Sequence, residues 1–370
     1  MRIAIDARKL HDYGIGTYVR NMVTHVARQD RSNEYVIICR PGDCTGISEL
    51  GPNFSAAPDT SRPYSMAEQF TVPLDLRRHK VDLLHEPHYV LPPLIPCRAV
   101  VTIHDCIHLR FPQYLPSRLA HAYARTFLWT ATHQADKIIT VSHASKRDIL
   151  QYFRIPPEKI EVIYNGISDR FRTPPSDEQM ERVRQRYQLI DPFVLYAGNI
   201  RPHKNLERLI DAFYELRGEG FGHLKLLIIG DEISKYATLR RAVHRHKLHK
   251  HVRFLGFVSD DTLAALYRLA AVFVFPSLYE GFGLPPLEAM ASGTPVVTSN
   301  VSSLPEVVGD AALLVDPYDT AAIGGAVKLV LTDETLREDL RRRGFARAAE
   351  FSWARAAERV RAIYAEVAGR

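Results

Sequence analysis

A chain of 370 residues is too long for one ordinary domain and fits two; 46% apolar against 24% charged residues is a globular balance, which excludes a disordered or low-complexity chain. The net charge of +6 arises almost wholly in residues 1–173, a basic surplus that suits an anionic acceptor or lipid surface. No apolar run reaches the roughly 18 residues of a spanning helix, and no Arg/Lys-rich helix face or aromatic ladder suggests nucleic acid, so the expectation is a cytoplasmic protein, no nucleic-acid partner, and at most peripheral contact at the inner membrane face.

In chain order, Arg2–Asp6 reads as a strand rather than a leader peptide, followed by a Gly-rich turn and a helix over about 15–29. Strands are predicted at Tyr35–Cys39, Val81–His85, Ala99–His104 and Lys137–Ser142, with helices over about 117–134 and 143–152. Around 165–191 the pattern lapses into Asn-Gly, Pro-Pro and mixed charge, which suits a domain boundary. The rhythm restarts with strands at Phe193–Ala197, Lys225–Ile229, Val252–Leu255, Val272–Phe275, Pro295–Thr298 and Ala312–Val315, and the tail from about 333 is helical. Strand–helix alternation of this kind predicts an α/β chain whose parallel sheets are covered on both faces. Two such halves in series create a cleft, and ligands bind such sheets at the carboxyl ends of the strands. The predicted division is 1–170, 171–350 and a final helix at 351–370 that packs back on the first domain. The four cysteines, Cys39, Cys44, Cys97 and Cys106, show no zinc spacing and are expected to be reduced and structural.

The unusual residues fall just after strands. In the segment from Phe275 to Met290 a strand ends, Gly281-Phe282-Gly283 turns, and a helix starts near Leu284. Pro285 and Pro286 are tolerated there because first-turn amides need no intrahelical partner. The free amides of Gly283 and Leu284 then form an anion site at the positive end of the helix. Glu280 precedes this turn and Glu288 lies one helical turn inside. Taken alone, Glu280 also fits a surface loop acid and Glu288 an ordinary helix residue; the glycines favour binding.

The segment Tyr196 to Leu206 also opens a helix after a strand. Arg201 and Lys204 can clamp a diphosphate there, the guanidinium holding two oxygens and the ammonium acting as a point charge. Gly14 and Gly16 form a Gly-x-Gly turn after the first strand, but Val19 breaks the dinucleotide-binding register. His104 ends a strand and can bond a sugar hydroxyl, with Asp105 either orienting its imidazole or capping a turn. His244, His246, His249 and His251 are interleaved with Arg and Lys, which repel a metal, so they read as a solvated helix end. His85 and His88 beside Glu86 suit a cleft-lining role better than a metal site.

Together these segments resemble glycosyltransferase family 4, retaining transferases with the GT-B fold of two Rossmann-like, doubly wound domains facing across a cleft. The resemblance runs from Ile5-Asp-Ala through Gly14-Ile-Gly16, Thr102-Ile-His104-Asp105, Gly198-Asn-Ile-Arg201-Pro-His-Lys204, Phe254-Leu-Gly-Phe-Val258 and Glu280 to Glu288. Thr17 stands where an Arg is frequent. It implies that Arg201 and Lys204 hold the donor diphosphate, that Glu280 holds donor-sugar hydroxyls with the backbone of Gly281, Phe282 and Gly283, and that Glu288 binds the ribose. It further implies that Val258 packs at the base, that His104 contacts the donor sugar, and that Gly16 approaches the phosphates.

The reaction implied is hexosyl transfer with retention, from a GDP- or UDP-linked sugar to a glycan or lipid-linked acceptor, with no cofactor and no metal. GDP-mannose is the favoured donor and polysaccharide assembly the setting. Rival readings are a UDP-sugar-using transferase, a non-catalytic nucleotide-sugar-binding subunit, a nucleotide-sugar epimerase and, weakest, an NAD dehydrogenase. The first domain is expected to hold the acceptor, with Arg118, Tyr123, Arg125, Phe127, Leu128 and Trp129 on a helix face that suits a lipid surface or an ordinary core contact.

Overall fold

The computed structural model describes residues 1–230 and 236–369. The chain forms two compact units, Met1–Gly166 with Ser352–Arg370, and Ile167–Phe351. Each is one parallel sheet covered by helices.

The sheet of the first unit contains β1 (Arg2–Asp6), β2 (Glu34–Cys39), β3 (Phe54–Pro58), β4 (Leu83–Glu86), β5 (Arg98–Ile103), β6 (Lys137–Thr140) and β7 (Ile160–Val162). Their order is β3-β2-β1-β4-β5-β6-β7, every pairing parallel. The central runs are almost wholly apolar because helices cover both faces. The two strands that periodicity does not predict, β3 and β7, are the edges. β3 reads Phe-Ser-Ala-Ala-Pro, and its terminal Pro58 is tolerated because an edge strand needs fewer ladder donors. The helix Glu68–Arg78 also escapes the pattern, since Pro73 interrupts it. The final helix, Trp353–Ala368, packs on the helix Tyr13–Gln29 of this same unit. Gly166 lies directly against Ser352 and Trp353, so a side chain there would collide with the returning chain.

The second sheet contains β8 (Phe193–Ala197), β9 (Lys225–Ile229), β10 (Val252–Gly256), β11 (Val272–Phe275), β12 (Val296–Ser299) and β13 (Leu313–Val315), in the order β10-β9-β8-β11-β12-β13. In both sheets the winding reverses beside the first strand: β1 has β2 on one side and β4 on the other, and β8 has β9 and β11. Such a reversal leaves a crevice at the carboxyl ends of the two strands, because their following loops diverge.

One expectation about cysteine is corrected. Cys39 ends β2, and the short 3-10 turn Pro41–Asp43 brings Cys44 back to it, with Cα atoms 5.9 Å apart and a disulfide between them. Cys97 and Cys106 form no disulfide. No helix among the described residues is long and apolar enough to cross a membrane.

Candidate functional site

In the second unit the crevice between β8 and β11 collects the expected charges. The loop after β8 makes a 3-10 turn, Pro202–Lys204, and Asn205 adopts a left-handed conformation (φ 62°) before the helix Leu206–Gly218. The buried Asn205 amide donates to the carbonyls of Pro276 (3.0 Å) and Pro317 (2.6 Å), and Leu278 N–H donates to the His203 carbonyl at 2.7 Å. These bonds clamp the loop after β8 to the loops after β11 and β13. Lys204 Nζ consequently reaches Glu280 Oε1 at 2.5 Å, both side chains being largely buried, and lies 5.2 Å over the Phe275 ring. Arg201 is exposed at the mouth of the same loop.

The Glu280 loop is held by hydrogen bonds that the motif does not reveal. Ser302 Oγ donates to the Glu280 carbonyl (2.5 Å) and accepts from the Glu280 N–H (3.2 Å), while Ser303 Oγ lies 2.9 Å and 2.7 Å from the carbonyls of Glu280 and Phe282. Gly283, at φ 116°, caps the helix Leu284–Ala291, and a Cβ there would meet Leu304 at 2.9 Å as well as the left-handed backbone. Gly281 and Phe282 are buried, the Phe282 ring against Phe351.

Glu288 is part-buried and accepts from the Tyr267 hydroxyl at 3.1 Å. Loss of water around its carboxyl pushes it up to about 7, against the smaller opposing effect of that hydrogen bond. Val258 is buried beyond β10, next to the exposed Phe257.

In the first unit His104 follows β5. Its Nε2 lies 3.0 Å from the Pro87 carbonyl, and burial holds it down to about 4. The ring is therefore neutral at pH 7 with its proton on Nε2, which leaves Nδ1 to accept from a hydroxyl. Asp105 Oδ1 accepts from the Ile107 N–H at 2.9 Å, which makes it a turn cap.

Residues 13–171 match the model described as Glycosyltransferase Family 4, and residues 178–347 match Glycosyl transferases group 1. The O-antigen chain mannosyltransferase B of Escherichia coli is 39% identical over 75% of this chain and 72% of that protein. A serotype-specific mannosyltransferase of Escherichia coli, WbdA, is 32% identical over 71% of this chain, a match that spans about a third of its own length (33%). Among solved structures, HepE of Anabaena in complex with UDP-glucose shares the fold at TM-score 0.82 and 18% identity, over 99% of this chain and 100% of that one. The chain belongs to glycosyltransferase family 4.

Several residues of this transferase depart from expectation. Its first long helix starts at Tyr13, not 15, so Gly14 and Gly16 lie in the first turn rather than before it. Gly16 is required by local packing: its N–H bonds the Asp12 carbonyl, and a Cβ would penetrate the Leu10 carbonyl. Arg20, one turn beyond Thr17, reaches back to the Leu10 carbonyl. His85 does not line a cleft. It is fully buried between Tyr364 Oη (2.5 Å) and Thr102 Oγ1 (2.8 Å), and burial holds it down to about 3.

The helix Arg118–Gln134 buries Phe127 and Leu128 in the core with Tyr123 packed against it; Leu119, Trp129, Arg118 and Arg125 face out. Of the histidine run, His246 pairs with Asp211 at 2.7 Å beyond the helix Ala237–Arg245, and no group of three or more ligating side chains that could hold a metal exists among the described residues.

The residues missed by sequence reasoning are Ser302, Asn205 and a buried charged group around Arg8. Arg8 bonds Asp6 (2.5 Å) and Asp59 (3.2 Å) and pairs with Glu68 at 3.4 Å. The only signal for it was the Ile5-Asp-Ala run.

Proposed function

We propose that this glycosyltransferase moves a mannosyl group from GDP-mannose to a glycan or lipid-linked acceptor, with retention and without a metal ion. The observation that carries the site assignment is the Lys204–Glu280 pair at the β8–β11 crevice, beside the helix start at Leu284. Lys204 has three N–H donors, so it can keep Glu280 while bonding a diphosphate oxygen. With Arg201 and the free amides of Gly283 and Leu284 it supplies the positive charge that a departing diphosphate needs, which in other transferases a cation can supply.

Glu280, with the backbone of Gly281 and Phe282, holds the sugar hydroxyls; Glu288 takes the ribose and Val258 the base. His104 accepts from a sugar hydroxyl through Nδ1, with Asp105 fixing its loop. The positive end of the first long helix, with Gly14 and Gly16 in its first turn, favours the phosphates. Retention follows if the leaving phosphate takes the acceptor's proton on the face it departs from, since no side chain is assigned as a nucleophile. The mannosyl donor is supported by the names of the two Escherichia coli relatives. Peripheral contact with an anionic lipid surface is supported by the exposed Arg118, Leu119, Arg125 and Trp129.

A thermal-shift series with GDP, UDP, ADP and their sugars, with and without EDTA, tests the donor. The expected result is an EDTA-insensitive shift with GDP and GDP-mannose. A shift with UDP alone transfers the reading to a UDP-sugar, and a shift abolished by EDTA removes its metal-independent part.

A further inference from the structure

One cluster of polar side chains plays no part in the donor chemistry. It lies in the first unit at the crevice where the sheet reverses, with Asp6 ending β1 and Glu86 ending the neighbouring β4. Asp6, Arg8, Lys9, Asp59, Glu68, Glu86 and His88 are each less than a tenth exposed. Arg8 is fully engaged with Asp6, Asp59, Ser61 and Glu68. By contrast, Lys9 Nζ, Glu86 Oε2 and His88 Nδ1 are buried without a hydrogen-bond partner. Buried polar atoms normally find partners, and three unused ones together mark a place where a ligand completes them.

The cluster has a cover. Tyr64 is 44% exposed, sits at φ 65° in the left-handed region, and lays its ring 3.7 Å from Lys9 Nζ. Its hydroxyl lies 3.1 Å from His88 Nε2, and the rings of Tyr89 and Tyr123 are both 6.4 Å away. A half-exposed side chain on a strained backbone is the part of such a crevice that can move aside.

We infer that the β1–β4 crevice binds neutral hydroxyls of the acceptor sugar through Lys9, Glu86 and His88, with Tyr64 as the face that covers the ring. This rests on the glycosyl-transfer reading and names the acceptor chemistry within it. A hydroxyl both donates and accepts, so a vicinal diol can satisfy the ammonium and the carboxyl oxygen together, which neither a cation nor an anion can do. Four carboxyl groups face two cations here, and Arg8 is already occupied, so a phosphate is disfavoured even though the unit as a whole is basic. The ammonium of Lys9 and the guanidinium of Arg8 repel a metal ion. The crevice also adjoins His104: the Pro87 carbonyl that holds its imidazole belongs to the residue between Glu86 and His88.

The test is saturation-transfer NMR on the full chain with methyl α-mannopyranoside and, separately, mannose 6-phosphate, comparing wild type, Lys9→Met and Tyr64→Ala. Expected are saturation of the neutral glycoside by wild type and a weakening of about tenfold or more in both variants, through loss of a hydrogen bond to a charged group in Lys9→Met and of the covering ring in Tyr64→Ala. The GDP thermal shift should be unchanged. Equal glycoside binding by wild type and both variants, or preferential binding of mannose 6-phosphate, overturns the inference, as does no glycoside binding by wild type. The sugar arm needs no donor, so failure of the donor assignment appears separately as a missing GDP shift. Should Lys9→Met fold poorly, Tyr64→Ala, at a half-exposed position, carries the comparison.

Discussion

The pairing of Lys204 with Glu280 leads to an expectation of two effects of opposite sign from one substitution. Glu280→Gln keeps the side-chain shape and removes a negative charge that lies 2.5 Å from the ammonium. A diphosphate oxygen bonded to the other side of Nζ at ~2.8 Å would stand about 5 Å from that carboxylate. At an effective dielectric of about 20 their repulsion is ~3 kcal/mol, and partial solvent exposure roughly halves it. GDP should therefore bind Glu280→Gln about five- to thirtyfold more tightly than wild type, a gain of ~1–2 kcal/mol. Transfer should nevertheless fall by about a hundredfold, because the hydroxyl contacts at the reacting sugar are weakened. The ligand-free variant should also melt about 3–6 °C lower, since Lys204 is left without its counter-charge in a largely buried place. Isothermal titration with GDP, donor turnover and calorimetric melting read the three effects. GDP affinity within twofold of wild type, together with near-normal turnover, would refute both the pairing and the role of Glu280.

Other substitutions test the remaining contacts. Glu288 has its carboxyl raised to about 7 from 4.5, so the folded state holds the proton more tightly than the unfolded chain. Its contribution is then present below about pH 4.5 and is lost as the pH rises to 7, a loss of at most ~3 kcal/mol; Glu288→Gln should flatten melting temperature over that window. Because the carboxylate accepts ribose hydroxyls better than the neutral acid does, GDP affinity should rise with pH through about 7 in wild type and not in Glu288→Gln. His104→Ala should lower kcat by about tenfold to a hundredfold with GDP affinity unchanged, and the His104 ring should show no NMR titration above pH 5. Tyr364→Phe leaves the buried His85 Nδ1 without a partner and should cost ~1–3 kcal/mol in unfolding by denaturant. His85, held down to about 3, contributes stability above pH 6.5 that is lost as the pH falls towards 3, and the acid limb of a pH–melting curve reads this. Arg118→Glu with Arg125→Glu should reduce flotation with anionic liposomes, and unchanged flotation would remove the lipid contact.

Much of the second unit was legible from local chemistry. Phe193–Ala197, Lys225–Ile229 and Val272–Phe275 are short apolar runs buried on both faces, and they form strands at the bounds that periodicity predicts. The helix start at Leu284 follows from Gly283 and the prolines behind it, because a left-handed cap and missing first-turn amides are properties of those residues themselves. The loops that end these strands carry Arg201, Lys204 and Glu280, so their position at the carboxyl edge also needed no tertiary information. The edge strand Phe54–Pro58 was not legible, since a strand paired on one side needs no strong apolar pattern.

What the sequence could not determine is which side chains meet across long separations. Lys204 and Glu280 are 76 residues apart, and their pairing depends on β8 and β11 being neighbours, which strand order decides. His85 and Tyr364 are 279 apart and meet because the chain returns to the first unit. The same holds for Asp6 and Glu86, adjacent only through the β1–β4 pairing. A strand or a cap is set by interactions within a few residues, whereas the state of a buried charge is set by whatever the fold brings beside it.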